Sequence, residues 1–275
     1  VAVRLREASD YPTELLWNLT LRELRGKFKR STLGWLWSVI NPLANIAIYT
    51  IVFGVILGVT PEPGHPSGLD IYGFFLVSGL LPWTYLSNAL NGATVSITGN
   101  EGLVKKVYFP RSVLPTSSTL AWLASFGVEL IVLGVVLLFF GNFVLPWVPV
   151  VIVLMILQTG FVLGLGLLLA AANAYFRDVQ HFLGIALNIW FYSTPILFDP
   201  DQIAAFDNEV LGVKWRTLLG FNPMTQFVNA YRNVLYDLRW PSLTNWLALI
   251  AISGITLAIG AAGFRRLEPQ LAEEL

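Results

Sequence analysis

Long apolar runs, separated by short polar stretches, constrain this chain more than any other feature. They cover Leu33–Val59, Ile71–Thr98, Ser112–Phe140, Val148–Ala172, Phe182–Phe198 and Leu243–Phe264. A helix crossing the roughly 30 Å hydrocarbon core of a bilayer needs about 20 mostly apolar residues. Runs of that length are spans, because a soluble core scatters its apolar residues at helical or strand period. A soluble chain also carries about a quarter charged residues. Here 12% are charged and 55% hydrophobic, so lipid has to cover what polar surface cannot. Pro42, Pro82 and Pro195 lie in or near the runs and mark kinks, or breaks lined by protein. The expected fold is an all-α membrane protein with about six spans, forming one domain over residues 1–275.

The cations set the orientation. An even number of spans puts both termini and the second and fourth connections on one side. That side holds Arg4, Arg6, Arg22, Arg25, Lys27, Lys29, Arg30, Lys105, Lys106, Arg111, Arg177, Arg265 and Arg266, out of 17 lysines and arginines in all. Lys214, Arg216, Arg232 and Arg239 are left for the other side, in one long connection. The positive-inside rule then makes both termini cytoplasmic in a multi-pass inner-membrane protein, with residues 265–275 as a cytoplasmic tail. No short apolar stretch ending in a small-residue cleavage site opens the chain, so no cleavable signal peptide is expected.

Three connecting stretches are informative. Over residues 11–30, Trp17, Leu21, Leu24 and Phe28 recur at helical spacing, with Asn18, Arg22, Arg25 and Lys29 on another face. This predicts an amphipathic helix in the membrane interface; a helix packed on a soluble partner gives the same pattern. Leu15, Leu16 and Leu19 fall off the stripe. The connection Gly99–Arg111 predicts a helical turn from Glu101 to Phe109, stopped by Pro110. Leu103, Val107, Tyr108 and Phe109 beside Lys105 and Lys106 suit a docking knob for a soluble partner; they equally suit an interfacial connector. The outer connection, residues 199–241, is too long for a turn and too mixed for a span. Phe227, Tyr231, Val234 and Leu235 recur at helical spacing in it, which predicts short re-entrant helices rather than a plain surface loop.

Chemistry of its own is not legible in the chain. Cysteine is absent, and His65 and His181 stand alone, so neither a disulfide, a thiolate site nor a histidine-rich metal cluster can be drawn. A P-loop reads G-x-x-x-x-G-K-[ST]; the nearest pair, Gly26–Lys27, lacks the earlier glycine and the hydroxyl residue. No catalytic residue or metal ligand is therefore assigned, and a driving force has to come from another polypeptide. Glu129 is the one acid near the middle of a span. A charge there costs about 2.5–3.5 kcal/mol on insertion scales, so it is expected protonated, paired or facing water. Arg177 and Asp178 are either a local ion pair anchoring a span end or a contact near a partner. Gly54/Gly58 and Gly160/Gly164 are small-xxx-small pairs that allow close helix packing.

Five motifs occur in order: Ser31–Pro42, ending Val-Ile-Asn-Pro; Gly79-Leu-Leu-Pro-Trp83; Phe109–Pro115; Tyr175–Gln180 followed by Phe191–Leu197; and Phe221-Asn-Pro223 followed by Tyr231-Arg232. Together they resemble ABC-2-type polysaccharide and teichoic-acid export permeases, over about Tyr11 to Phe264. The resemblance implies a homodimeric permease carrying two copies of a separate ATP-binding-cassette (ABC) ATPase, which uses ATP and Mg. It also implies lipid-linked glycan cargo passing between the two permeases, lipid contacts around them, and no nucleic acid. The interfacial helix (Trp17, Leu21, Leu24, Phe28) is similar to the family's gate helix. Gly99–Pro110 is similar to its coupling helix (Leu103, Lys105, Lys106, Val107, Tyr108, Phe109), and the outer connection to its re-entrant helices.

A sliding glycan needs a path without fixed charge, and aromatic faces suit sugar C–H groups. Tyr49 and Phe53 in the first span and Trp190, Phe191 and Tyr192 in the fifth are the channel candidates. Trp35, Trp37, Trp83 and Trp147 serve equally as interfacial belts. Two rivals stay open: an ABC-2 exporter of a small lipid or drug, and a membrane glycosyltransferase or acyltransferase. A proton-coupled carrier would need paired intramembrane ionisable groups or inverted repeats.

Overall fold

The computed structural model describes residues 11–27, 32–58, 62–107, 109–198, 209–210 and 213–272. In chain order the helices are α1 (Tyr11–Lys27), α2 (Trp37–Tyr49, continuing as a π-helix over Thr50–Ile56), α3 (Tyr72–Val95), α4 (Glu101–Val104), α5 (Val113–Phe139) and α6 (Val148–Tyr175). They continue as α7 (Val179–Tyr192), α8 (Trp215–Phe221), α9 (Pro223–Arg232, with a π-turn over Asn233–Asp237) and α10 (Leu243–Leu267, ending in a 3-10 turn over Glu268–Ala272). A two-residue antiparallel pair, β1 (Glu209–Val210) with β2 (Val213–Lys214), is the departure from an all-helical chain among the described residues.

Among the described residues, four stretches are long and apolar enough to cross a bilayer: Trp37–Ile56, Val113–Phe139, Leu145–Tyr175 and Leu243–Leu271. Only 11% of the first is buried inside the protein, so most of its apolar surface is left for lipid or a neighbouring chain. The second expected span is α3, whose 24 residues extend about 36 Å at 1.5 Å per residue. It is the axis of the bundle, with α2, α5, α6, α7 and α9 packed around it. Protein rather than lipid encloses it, which is why it tolerates Ser78, Thr84 and Thr94. Their hydroxyls donate to the Phe75, Leu80 and Leu90 carbonyls of the same helix.

The fifth expected span, Phe182–Phe198, is corrected. Helix α7 starts earlier, at Val179, and stops at Tyr192; its 14 residues make only about 21 Å. Pro195 cannot donate to a helical ladder, and the chain leaves in a turn over Ser193–Phe198. The backbone carbonyls released there are captured by side chains. Arg232 Nη1 donates to the Pro195 carbonyl at 2.6 Å, Arg232 Nη2 to the Ile196 carbonyl at 2.5 Å, and the Tyr72 hydroxyl to the Leu197 carbonyl. Arg232 belongs to α9, which is buried within the bundle rather than lying on it. Phe227, Tyr231, Val234 and Leu235, the apolar stripe of the outer connection, are all 4% exposed or less. Gly79 makes room for this helix: a Cβ there would lie 3.0 Å from Val228 Cγ1 and 3.2 Å from Arg232 Nη2.

One apolar cluster ties together α1, the Gly99–Arg111 connection, the first turn of α5, the end of α6 and the chain's last turn. It contains Leu19, Ile97, Val104, Phe109, Leu114, Ala171, Phe264 and Leu271. These segments share one end of the molecule, the basic end. The last turn is docked there: Leu271 is fully buried, the Arg111 amide donates to Glu268 Oε1 at 2.7 Å, and the Arg111 guanidinium donates to the Glu268 carbonyl.

Helix α1 presents two apolar faces. Leu15, Leu16 and Leu19, off the expected stripe, pack on the bundle, whereas Trp17 is 63% exposed. The stripe at helical spacing thus leaves out the leucines that pack on the bundle. Phe28, the stripe's last member, lies outside the described residues. Of the small-residue pairs, Gly164 packs within the chain, against Thr256 and Gly260 of α10, while Gly54 and Gly58 meet nothing within 4 Å.

Candidate functional site

At the basic end, a 3-10 turn over Thr98–Asn100 leads into α4, a single helical turn that ends at Val104, five residues short of the expected stop at Phe109. Val104 is buried, Leu103 packs partly against the same cluster, and Lys105, Lys106 and Val107 project outward. Phe109 is corrected: it is 7% exposed and anchors the connection, so it offers no docking surface. Its ring fills the cluster next to Val113 and Leu114, which is what holds the knob rigid. Tyr108 and the side chain of Trp35 lie outside the described residues. Lys105 Nζ donates to Glu101 Oε1 at 2.7 Å, one turn apart, and this ammonium holds the Glu101 carboxyl below its usual range. Arg177 reaches Glu101 Oε2 at 3.9 Å, tying the end of α6 to the knob.

Helix α1 is attached to that knob and to α5. Arg22 Nη2 donates to Asn100 Oδ1 at 2.7 Å. At its far end Lys27 Nζ donates to Ser125 Oγ at 2.9 Å and to the Ala121 carbonyl at 3.2 Å, and sits 3.2 Å over the Trp122 ring. Glu129, the lone mid-span acid, is a charge neighbour of Lys27. The acid was legible in the sequence and its partner was not, because Lys27 figures there only among the cations that set the orientation.

Burial lowers Lys27 from its usual 10.5 to about 7, against the opposing pull of Glu129 and Glu23. A detached α1 keeps its proton up to about 10.5 and a docked one only to about 7, so docking releases a proton between those values and tightens as pH rises. Spin labels on α1 and α5 should therefore show a larger docked fraction at pH 9 than at pH 6.5, with Lys27→Met flat across the range. An equal pH slope in Lys27→Met removes Lys27 from this role.

The channel candidates separate into two groups. Phe53 stacks on Tyr72 with ring centroids 4.9 Å apart, and Tyr49 lies 6.2 Å from Phe53, both partly buried on the inner side of α2. The second group surrounds Trp83, a belt candidate that proves buried halfway along α3. Trp190 and Phe191 pack against it at 5.9 and 5.5 Å. Trp190 Nε1 also donates to Asn222 Oδ1 at 2.7 Å, so this ring is fixed in the wall rather than free to slide. Tyr192 is 72% exposed and faces outward. At the end opposite the knob, Trp147 and exposed Trp240 pair at 5.5 Å as belt residues do.

Asn222 went unrecognised within its motif. It caps α9 by accepting from the Met224 amide at 3.0 Å, and its amide donates to the Ser193 carbonyl and to Thr194 Oγ1, both at 3.0 Å. The signal was legible: Asn followed by Pro at the first helical position is an N-terminal cap. One side chain thus stitches the broken end of α7 to the re-entrant helix.

The chain is 31% identical, over 98% of its own length and 98% of the relative's, to the O-antigen export system permease protein RfbA of Myxococcus xanthus. It is 28% identical to the RfbA permease of Klebsiella pneumoniae, over the full length of both. It is 29% identical to the polysialic acid transport protein KpsM of Escherichia coli, over 91% of this chain and 92% of that one. Residues 14–236 match the ABC-2 type transporter family. That stretch runs from the first turn of α1 to the π-turn after α9 and takes in all five motifs, and the chain belongs to the ABC-2 type transporter family.

Proposed function

We propose that this chain is the permease half of an ABC exporter that carries a lipid-linked cell-envelope polysaccharide from the cytoplasm across the inner membrane. The observation that carries this reading is end-to-end likeness to relatives named for O-antigen export and for polysialic acid transport. Two permeases form the path, and two copies of a separate ATPase, with ATP and Mg, supply the force. The basic end faces the cytoplasm, in keeping with the positive-inside rule, and with it α1, the knob and both termini. Of the aromatic candidates, Tyr192 offers its ring on a surface that a second copy covers. The likeness to two glycan exporters favours this over a small-lipid exporter or a membrane glycosyltransferase.

Lys105, Lys106 and Val107 are the knob's outward side chains, so they are the ones the ATPase grips. The double variant Lys106→Glu/Val107→Asp changes only exposed groups. It is expected to cut recovery of the ATPase with the affinity-tagged permease at least tenfold, about 1.4 kcal/mol, while the permease still elutes as a single species. Undiminished recovery of the ATPase would remove the knob from the docking surface.

A further inference from the structure

We propose that the outer end of each permease carries a binding site for one uncharged sugar unit of the glycan, between α9 and the loop before α3. The proposal rests on the export reading above. A cavity of about 380 Å³ opens there, bounded on one side by Glu62, Pro63 and His65 and on the other by α8, α9 and its π-turn.

The sequence builds this cavity from a second stripe on α9. Opposite the buried apolar face, Thr225, Asn229, Arg232, Asn233 and Tyr236 recur every three or four residues, and all five line the cavity. Asn229 is exposed to it, while Thr225 is 4% exposed and its hydroxyl has no hydrogen-bond partner among the described residues. A buried hydroxyl left unpaired in this way is unfavourable, and once turned toward the cavity it would be satisfied by an incoming hydroxyl.

The arginines lining the cavity are already engaged. Arg232 donates to the Pro195 and Ile196 carbonyls and lies 3.8 Å over the Phe75 ring. Arg239 Nε donates to Asn233 Oδ1 at 2.8 Å and pairs with Asp237 Oδ2 at 3.1 Å. Tyr236 donates to the Leu69 carbonyl at 2.7 Å. What these contacts leave for a ligand is the Asn229 amide and the Thr225 hydroxyl, one turn apart on α9, facing Glu62 and His65 on the loop, where the carboxylate would accept from a sugar hydroxyl and repel an acid. Neutral donors and acceptors in a rigid polar cleft match sugar hydroxyls, whereas phosphate or a sugar acid would call for an uncommitted guanidinium. The volume admits about one sugar ring, and such a handhold at the exit would oppose backsliding of the chain between ATPase cycles.

The test uses the full-length permease in nanodiscs and saturation-transfer-difference NMR. The probes are galactose, mannose, glucose and N-acetylglucosamine, with N-acetylneuraminic acid and methyl phosphate as the charged arm. At least one neutral sugar should receive saturation. The signal should fall about fivefold in Asn229→Ala and in Thr225→Val, each costing about one hydrogen bond; the first is exposed and the second is isosteric, so both keep the fold. No neutral signal, a signal unmoved by both variants, or stronger transfer to the charged probes would each overturn the site. Glycan export by the same cells keeps the two readings apart. Export without sugar binding sinks only the site, whereas export that continues when the permease gene is deleted sinks the transport reading.

Discussion

Gly260→Ala is expected to abolish recovery of folded permease. Helices α6 and α10 form the most extensive helix pair in the protein, and they meet backbone to backbone. A Cβ on Gly260 would lie 2.6 Å from the Gly164 Cα and 2.7 Å from its carbonyl carbon. No rotamer change can relieve an overlap with main chain, so the helices have to separate along the seam. Forced overpacking costs about 1–3 kcal/mol in cores that can adjust; this one cannot, and a loss of more than about 3 kcal/mol is expected. Gly160 is the internal control, because a Cβ there meets Leu257 and Ser253 at an ordinary 3.9 Å. Gly160→Ala should elute like wild type, while Gly260→Ala should aggregate or be degraded. Equal behaviour of the two variants would show that the seam is looser than its geometry.

Arg232→Met is expected to give the second large effect, and a different one. The bundle stays assembled while the outer half loses its lock. The arginine is 6% exposed and donates to the Pro195 and Ile196 carbonyls of the turn after α7, plus a longer contact to the Phe75 carbonyl at 3.4 Å. Methionine keeps the stem but leaves those acceptors unpaired, at about 1–3 kcal/mol each. Lysine cannot rescue it, because a single ammonium does not reproduce the planar fork or the stacking on Phe75. Glycan export should drop at least tenfold and the thermal midpoint of the purified permease should fall. Proteolysis within residues 199–241 should quicken while α5 and α6 stay protected. Normal export with an unchanged midpoint would mean that the carbonyls find other partners.

Helices, buried α3 and α9 included, were legible in the sequence; which side chains turn inward and where polar groups replace helical bonds were not. Spans α2, α5, α6 and α10 announce themselves because their windows are strongly apolar and less than half buried inside the protein. The turn at Pro195 was flagged by the proline, yet α7 was overextended by six residues, since an apolar run carries no sign of where Arg232 and Asn222 replace helical hydrogen bonds. Helix α1 was read by its lipid face, and its protein face, Leu15, Leu16 and Leu19, was set aside as irregular. Phe109 was grouped with the exposed knob because chain neighbours look alike in sequence, although one turns into the core and Val107 turns out. The polar stripe of Thr225 and Asn229 was masked by the stronger apolar stripe on the same helix.

Whether this membrane bundle is a passage driven from outside is decided by reconstitution. Proteoliposomes holding the permease alone, or the permease with its cognate ABC ATPase, are given radiolabelled lipid-linked glycan on the face bearing the knob. The glycan should reach the opposite face only when both polypeptides and Mg-ATP are present, with the Lys106→Glu/Val107→Asp permease at background. Translocation by the permease alone, without nucleotide, would contradict that outside drive.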